Sequence, residues 1–239
     1  MSKEQTHFGY QKIDQDQKSA KVSEVFSSVS DRYDLMNDLM SFGTHRLWKD
    51  FAVAMSGARA GQHVLDVAAG TGDMATRFSE AVGNSGRVVM TDVNQAMLEI
   101  GYDRLIDAGK GANIDVITAD AEDLPFNEKS FDCVCIAFGL RNVTRIPKAL
   151  LSMKKMLKPG GRLIILEFSH PQSNLLSKAY DLFSFRFIPS LGKLITGDEA
   201  SYKYLVESIR RHPNQEALSK IMRECGFEDI KYYNLSGGI

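Results

Sequence analysis

Cysteine, tryptophan and proline are scarce in this chain, its charges nearly cancel, and long apolar runs are missing. Each shortage excludes something. The three cysteines, Cys133, Cys135 and Cys225, cannot pair fully and fit no repeated metal-ligand spacing, so no metal site is expected and a reducing compartment is the simpler setting. Cys133 and Cys135 alternate with Val134 in an apolar run, which puts both thiols on one face of a strand as ordinary buried side chains. A formal net charge of −1 removes the broad electropositive field of a non-specific nucleic-acid binder. No apolar stretch approaches the roughly 20 residues that span a bilayer, so any membrane role is peripheral. Residues 1–21 are polar, resemble neither a secretory signal nor an Arg-rich transit peptide, and are expected to form a mobile tail. There is no internal repeat or low-complexity tract.

What is present suffices for one well-buried α/β domain with an appended helical segment, since 44% of the 239 residues are hydrophobic and 25% charged. Val22, Val25, Phe26, Val29, Tyr33 and Met36 recur at helical spacing, and Leu47, Phe51, Ala54 and Met55 do so again, which predicts two amphipathic helices before the first strand. Apolar strands then alternate with helical patterns, near 63–68, 87–91, 114–119, 131–138 and 162–168, the signature of a parallel sheet built by right-handed crossovers. Lys158-Pro159-Gly160-Gly161 is read as the stop of the helix after the fourth strand. An aromatic-rich insert follows, with Tyr180, Phe183, Phe185 and Phe187, then a helix over 216–225 and a last strand over 227–235. The expected organisation is a tail with substrate-side helices over 1–60 and a core over 61–239, carrying an insert at 171–212.

The most telling segment is Val64-Leu65-Asp66-Val67-Ala68-Ala69-Gly70-Thr71-Gly72-Asp73, an apolar strand entering a glycine-rich turn. In an open parallel sheet, ligands sit beyond the carboxyl ends of the strands, and the first strand-to-helix turn is that place. Gly70 and Gly72 let the backbone turn sharply against a ligand, and the amides opening the next helix suit a carboxylate or phosphate. Asp92, closing the second strand, is placed to accept from two ribose hydroxyls. Asp120-Ala121-Glu122-Asp123-Leu124-Pro125-Phe126, just past the third strand, is placed to offer a carboxylate and a backbone amide to an adenine edge. Gly70-x-Gly72-x-x-Ala75 also satisfies the dinucleotide fingerprint, so a NAD-dependent oxidoreductase stays open. Asp66 argues against it, because a carboxylate inside the strand suits a cationic sulfonium better than a pyrophosphate.

The string from Tyr33-Asp34-Leu35-Met36-Asn37 through Ser41, His45 and Trp48 closely resembles the first signature of the UbiE family, the ubiquinone/menaquinone biosynthesis C-methyltransferases. Met156-Leu157-Lys158-Pro159-Gly160-Gly161-Arg162 through Glu167-Phe168-Ser169 resembles the second. Phe138-Gly139-Leu140-Arg141-Asn142-Val143, Ser201-Tyr202-Lys203-Tyr204-Leu205 and Tyr232-Tyr233-Asn234-Leu235-Ser236 are similar to further family strings. The resemblance implies a Rossmann-like class I S-adenosylmethionine-dependent methyltransferase fold, with a mostly parallel sheet of the seven-stranded type, N-terminal helices and a helical insert after strand five. It implies cofactor contacts at Thr71, Asp92, Asp120 and Ala121, and one at Ala137, where the family's serine hydroxyl is replaced by a methyl group. Tyr33, His45 and Tyr202 fall on the substrate side. The resembling chains run on into a further strand where this sequence ends at Gly237-Gly238-Ile239, which implies either an open sheet edge or a truncated chain.

The implied reaction moves a methyl group from S-adenosylmethionine to a ring carbon of a polyprenylated quinol, either demethylmenaquinol or 2-methoxy-6-polyprenyl-1,4-benzoquinol. Another phenolic or lipid acceptor is the alternative within the class. A benzenoid carbon attacks a sulfonium methyl only when a neighbouring hydroxyl is nearly ionised, so the enzyme must support a phenolate and align two reactants. Arg141 and Asn142 follow the fourth strand at that rim, Arg141 with a fixed charge for the oxyanion and Asn142 to orient a ring oxygen or water. His170 and Glu167 rank lower, Glu167 as a strand-end structural carboxylate. The expected setting is the cytoplasm, at the inner face of a membrane, with other quinone-biosynthesis enzymes or a second copy of the chain as partners.

Overall fold

The computed structural model describes residues 4–29, 37–38, 40–41, 43–169 and 198–238. Tyr33, Met36, His170 and the aromatic insert lie outside the described residues. The chain divides into two compact units, one formed by Leu47–Glu167 and the other by the segments before and after it.

The first unit is the sheet. Its strands are β3 (His63–Val67), β4 (Arg87–Asp92), β5 (Ile114–Thr118), β6 (Phe131–Ala137) and β7 (Leu157–Leu166), in the spatial order β5-β4-β3-β6-β7 with every pairing parallel. Helices α3 (Asp73–Val82), α4 (Gln95–Asp107) and α5 (Ile146–Met156) join them, preceded by α2 (His45–Ser56). Val64, Leu65, Met90, Val134 and Ile136 in the central strands are fully buried with Phe78, Leu150 and Met153 of the helices, as expected where a parallel sheet is covered on both faces. The order places the switch point between β3 and β6, where crossovers depart in opposite directions and a crevice opens.

Five parallel strands are thus described, and their positions follow the apolar runs to within a few residues except in β7. That strand opens at Leu157, so Lys158-Pro159-Gly160-Gly161 lies inside it, at a register shift opposite Phe131 and Cys133. The helix does stop at Met156, but the glycines form an irregular strand opening, with Gly160 at φ +77° and Lys158 Nζ bonded to Asp132 at 2.7 Å.

The second unit holds the chain's two ends. Residues expected to be a mobile tail form an antiparallel hairpin, β1 (Gln5–Phe8) with β2 (Gln11–Asp14), leading directly into α1 (Gln15–Val29). Contacts from the far end of the sequence explain the order. Phe8 stacks on Tyr204 at 4.1 Å, and the hairpin tip donates the Tyr10 N–H to Glu207. Tyr204 and Glu207 belong to α6 (Glu199–Arg211), whose N-cap Asp198 accepts from Ser201 N–H and from Ser28 Oγ. Helix α7 (Gln215–Glu224) follows. The strand expected over 227–235 does not form: Asp229 takes φ +50°, and the consecutive Tyr232 and Tyr233 are both exposed, so no alternating buried face exists.

Candidate functional site

The carboxyl ends of β3 and β6 lie side by side, and both strands leave the sheet through left-handed backbone at residues that carry a Cβ, Ala68 (φ +53°) and Phe138 (φ +57°). Such strain collects where a ligand must approach the main chain. A Cβ built on Gly139 would meet that of Ala68 at 2.6 Å, so the two turns touch. From Ala68 the chain passes through Gly70 (φ +56°) and Gly72 (φ +80°) into α3. Helix α4 closes against this loop at Gly101, where an added Cβ would lie 3.0 Å from the Thr71 carbonyl carbon.

Asp92 ties the second strand to the loop. Its carboxylate accepts from the Gly70 N–H at 3.0 Å and the Asn94 N–H at 2.9 Å. Burial pushes its carboxyl up from the ordinary value, and the N–H groups of Asn94, Gly70 and Val93 oppose that rise. Asn94 also caps α4 by accepting from the Met97 N–H.

Asp66 is the opposite case. It sits in β3 beside Cys135 of β6 and Met90 of β4, is 1% exposed, and neither carboxylate oxygen has a side-chain partner. Desolvation pushes its carboxyl up to about 8, against the pull of the Lys49 charge and the Ala75 N–H and with help from Asp73 and Asp92. Lys49, on α2, is itself buried, with Nζ 2.6 Å from Asp73 and 5.8 Å from the centre of the Phe138 ring. Asp73 also accepts from Arg77 Nε. Burial raises the Asp73 carboxyl, but Lys49 and Arg77 together bring it below the ordinary carboxylate value. Lys49 was not among the residues the sequence singled out, because its acid partner lies 24 residues away.

At the other side of the switch point, Arg141 begins the turn after β6 with its side chain 1% exposed. Its guanidinium donates to Glu167 at 2.5 Å and to the Phe138 carbonyl at 2.6 Å, and its own N–H reaches Glu167 at 3.2 Å. The charge expected at an open rim is therefore held in a buried ion pair that clamps the ends of β6 and β7. Asn142 lies in the same turn, its N–H on the Gly139 carbonyl.

Asp66, Gly70, Thr71, Gly72, Asp92, Asp120, Ala121, Ala137, Arg141 and Asn142 thus all fall at the carboxyl edge of one sheet. Asp120 is exposed and accepts from the Glu122 N–H, Ala121 and Thr71 are buried, and Ala137 is the last rung of β6 against Leu166. Glu122, next in line, points to α5, accepting from Arg145 N–H and Nε. His45 and Tyr202 belong to the other unit. His45 Nε2 lies 2.9 Å from Asp38, which Arg46 also contacts; burial raises the Asp38 carboxyl, and these two partners outweigh it and lower it overall. Tyr202 is fully buried in α6.

The family model of ubiE/COQ5 methyltransferases matches residues 14–239. The chain belongs to the ubiE/COQ5 methyltransferase family. Its relatives in this family include the ubiquinone/menaquinone biosynthesis C-methyltransferases UbiE of Pseudomonas aeruginosa and Pseudomonas putida, each 57% identical over 234 residues, covering 98% of this chain and 91% of the relative. Among solved structures, the [4+2]-cyclase SpnF aligns with a TM-score of 0.67 at 19% identity, over 92% of this chain and 76% of that one. Phosphoethanolamine N-methyltransferase 2 of Haemonchus contortus, in complex with S-adenosyl-L-methionine, aligns at 0.58 and 21% identity, over 79% of this chain and 38% of that one. These two likenesses establish the fold, the Rossmann-like sheet that the alternation of strands and helices predicts.

Proposed function

We propose that this ubiE/COQ5-family enzyme transfers the methyl group of S-adenosylmethionine to a ring carbon of a polyprenylated quinol, in the formation of menaquinone, ubiquinone or both. The observation that carries the choice of cofactor is the buried, unpartnered carboxylate of Asp66 four residues ahead of a glycine cradle. A pyrophosphate would add like charge there, whereas a sulfonium with an α-ammonium group supplies the missing positive partner. When bound, S-adenosylmethionine supplies the electrophilic methyl group.

The chain's own residues then divide the remaining work. Gly70, Thr71 and Gly72 admit the methionine end, Asp92 offers its carboxylate to the ribose, and Asp120 with the Ala121 backbone borders the adenine. Ala137 contributes main chain only, since a methyl cannot replace a serine hydroxyl. Arg141 acts as a positioning residue: paired with Glu167 and the Phe138 carbonyl, it holds the turn that presents Asn142, and Asn142 orients the ring oxygen whose ionisation makes the carbon nucleophilic. Tyr33, His45 and Tyr202 are assigned to the quinol side by resemblance. No helix among the described residues is long and apolar enough to cross a membrane. A polyprenyl tail resides in a bilayer, so the enzyme meets its acceptor peripherally at the cytoplasmic face, with other quinone-biosynthesis enzymes or a second copy as partners.

Mass spectrometry tests the reading directly. The protein is incubated under reducing conditions with S-adenosylmethionine and short-chain prenylated demethylmenaquinol or 2-methoxy-6-prenyl-benzoquinol. A product heavier by one ring-bound methyl group supports it, and cofactor binding without product from either quinol sends the search to other phenols.

A further inference from the structure

We infer that the site exchanges a proton for its cofactor: the empty protein holds Asp66 as a neutral acid, and entry of the cationic methionine end drives that proton to solvent, leaving carboxylate against cation. This rests on the cofactor assignment above.

The argument is one of unfilled valence. Both Asp66 oxygens are buried and without a side-chain partner or committed counter-ion, the Ala75 N–H alone giving partial relief, and a charged carboxylate in that state is costly unless paired. Every element packed against it offers a group, and none serves as the missing counter-ion. From α2, Lys49 is committed to Asp73 at 2.6 Å. From α3, Asp73 adds negative charge, and the Ala75 N–H gives partial relief. From β4, Asp92 adds further negative charge. From β6, Cys133 and Cys135 are buried thiols pushed up by desolvation and by Asp66, Cys133 to about 12, so they stay neutral. Neutrality is then reached by protonation when the site is empty and by a ligand cation when it is filled. The rise of the carboxyl to about 8 agrees with this.

The exchange has a sign. Below pH 8 the empty site must lose a proton before it can pair, so the part of the affinity governed by Asp66 falls about tenfold for each unit of acidification and is flat above that pH; titration of the ligand's own α-ammonium is common to wild type and Asp66→Asn and cancels in their difference. Titration calorimetry of the full chain with S-adenosylmethionine, repeated in buffers of different ionisation enthalpy, counts the protons. At pH 7 the expected release is about 0.9 proton per cofactor, dropping to near 0.1 at pH 9. Asp66→Asn is nearly isosteric; it is expected to bind more weakly, release no proton from this site and lose the pH dependence between 6 and 9. Lys49→Met removes a cation beside Asp66 and shifts the release to higher pH without abolishing it.

Binding by the wild type without proton release overturns the inference and leaves the proposed function standing. Equal release by wild type and Asp66→Asn, with folding of the variant verified by circular dichroism, overturns it as well. No binding of S-adenosylmethionine by the wild type overturns both.

Discussion

Two charged clusters flank the switch point of this sheet, and they are balanced in opposite ways. Beyond β6 and β7, Arg141 and Glu167 neutralise each other, and the Phe138 carbonyl takes up a second guanidinium bond. In β3, Asp66 is as deeply buried and has no side-chain partner for either oxygen, only the Ala75 N–H giving partial relief. A matched buried pair holds architecture together, whereas an unmatched one marks a place where something else must arrive. The difference separates scaffold from the proposed binding site at one sheet edge.

The largest effect should come from breaking the matched cluster. Glu167→Ala strands a buried guanidinium and is expected to cost about 3–5 kcal/mol in denaturant unfolding, whereas the double variant Arg141→Met with Glu167→Leu removes both charges and should cost much less. Equal losses would show that volume, and not charge pairing, dominates there. The unmatched cluster should respond in the opposite direction. Asp66 has its carboxyl at about 8 in the folded chain against an ordinary 3.8, so between those values the unfolded chain gives up its proton and the folded chain keeps it. Cofactor-free stability is therefore fully present below pH 3.8, declines as pH rises and levels off above 8. Asp66→Asn removes that slope, so its melting temperature should match the wild type near pH 4 and exceed it at pH 8, by an amount that approaches ~5 kcal/mol. A constant difference across that range would contradict the account.

A smaller effect sharpens the comparison within the matched pair. Arg141→Lys keeps the charge but loses the reach and fixed planar geometry that bring one guanidinium nitrogen, Nη1, to Glu167 and the Phe138 carbonyl together. Turnover is expected to fall about tenfold, ~1.4 kcal/mol in the barrier, with the Kd for S-adenosylmethionine unchanged. A purely architectural arginine would lower the melting temperature and leave kcat intact at temperatures well below it.

Much of this was legible before any coordinates. Strands β3, β4 and β6 appear as apolar runs because the middle of a parallel sheet is covered on both faces, whereas β5, at the sheet edge and half exposed, shows as a shorter mixed run. Topology then places Asp66, Gly70, Thr71, Gly72, Asp92 and Arg141 at one edge, because the ends of parallel strands share an edge. The parts that escaped depend on partners distant in sequence. Lys49 finds its acid 24 residues on, in Asp73, and nothing in its local pattern sets it apart from a solvated lysine. The hairpin of β1 and β2 is too polar to be read as strands, and it is ordered by Tyr204 and Glu207 from near the other end of the chain. The 227–235 segment carries strand-forming residues, but the left-handed Asp229 and the exposed tyrosines leave it without a partner-facing side. Arg141 was placed in the right turn, but its burial against Glu167 required the register of β6 with β7.

The smallest expected effect compares the two units themselves. Asn94 and Asn214 are N-caps of the same kind, each accepting an N–H three residues on, from Met97 in α4 and Ala217 in α7. Replacing either by Ala should cost ~1 kcal/mol of stability. Their surroundings differ in one respect: the Asn94 N–H donates to Asp92, the carboxylate that also holds Gly70. Losing the Asn94 cap loosens the start of α4 and with it the geometry of Asp92, so Asn94→Ala should weaken S-adenosylmethionine a few-fold in the same titration, about 1 kcal/mol or less. Asn214→Ala should leave that affinity unchanged. If both weaken the cofactor equally, cap loss acts through general stability and not through the geometry of Asp92.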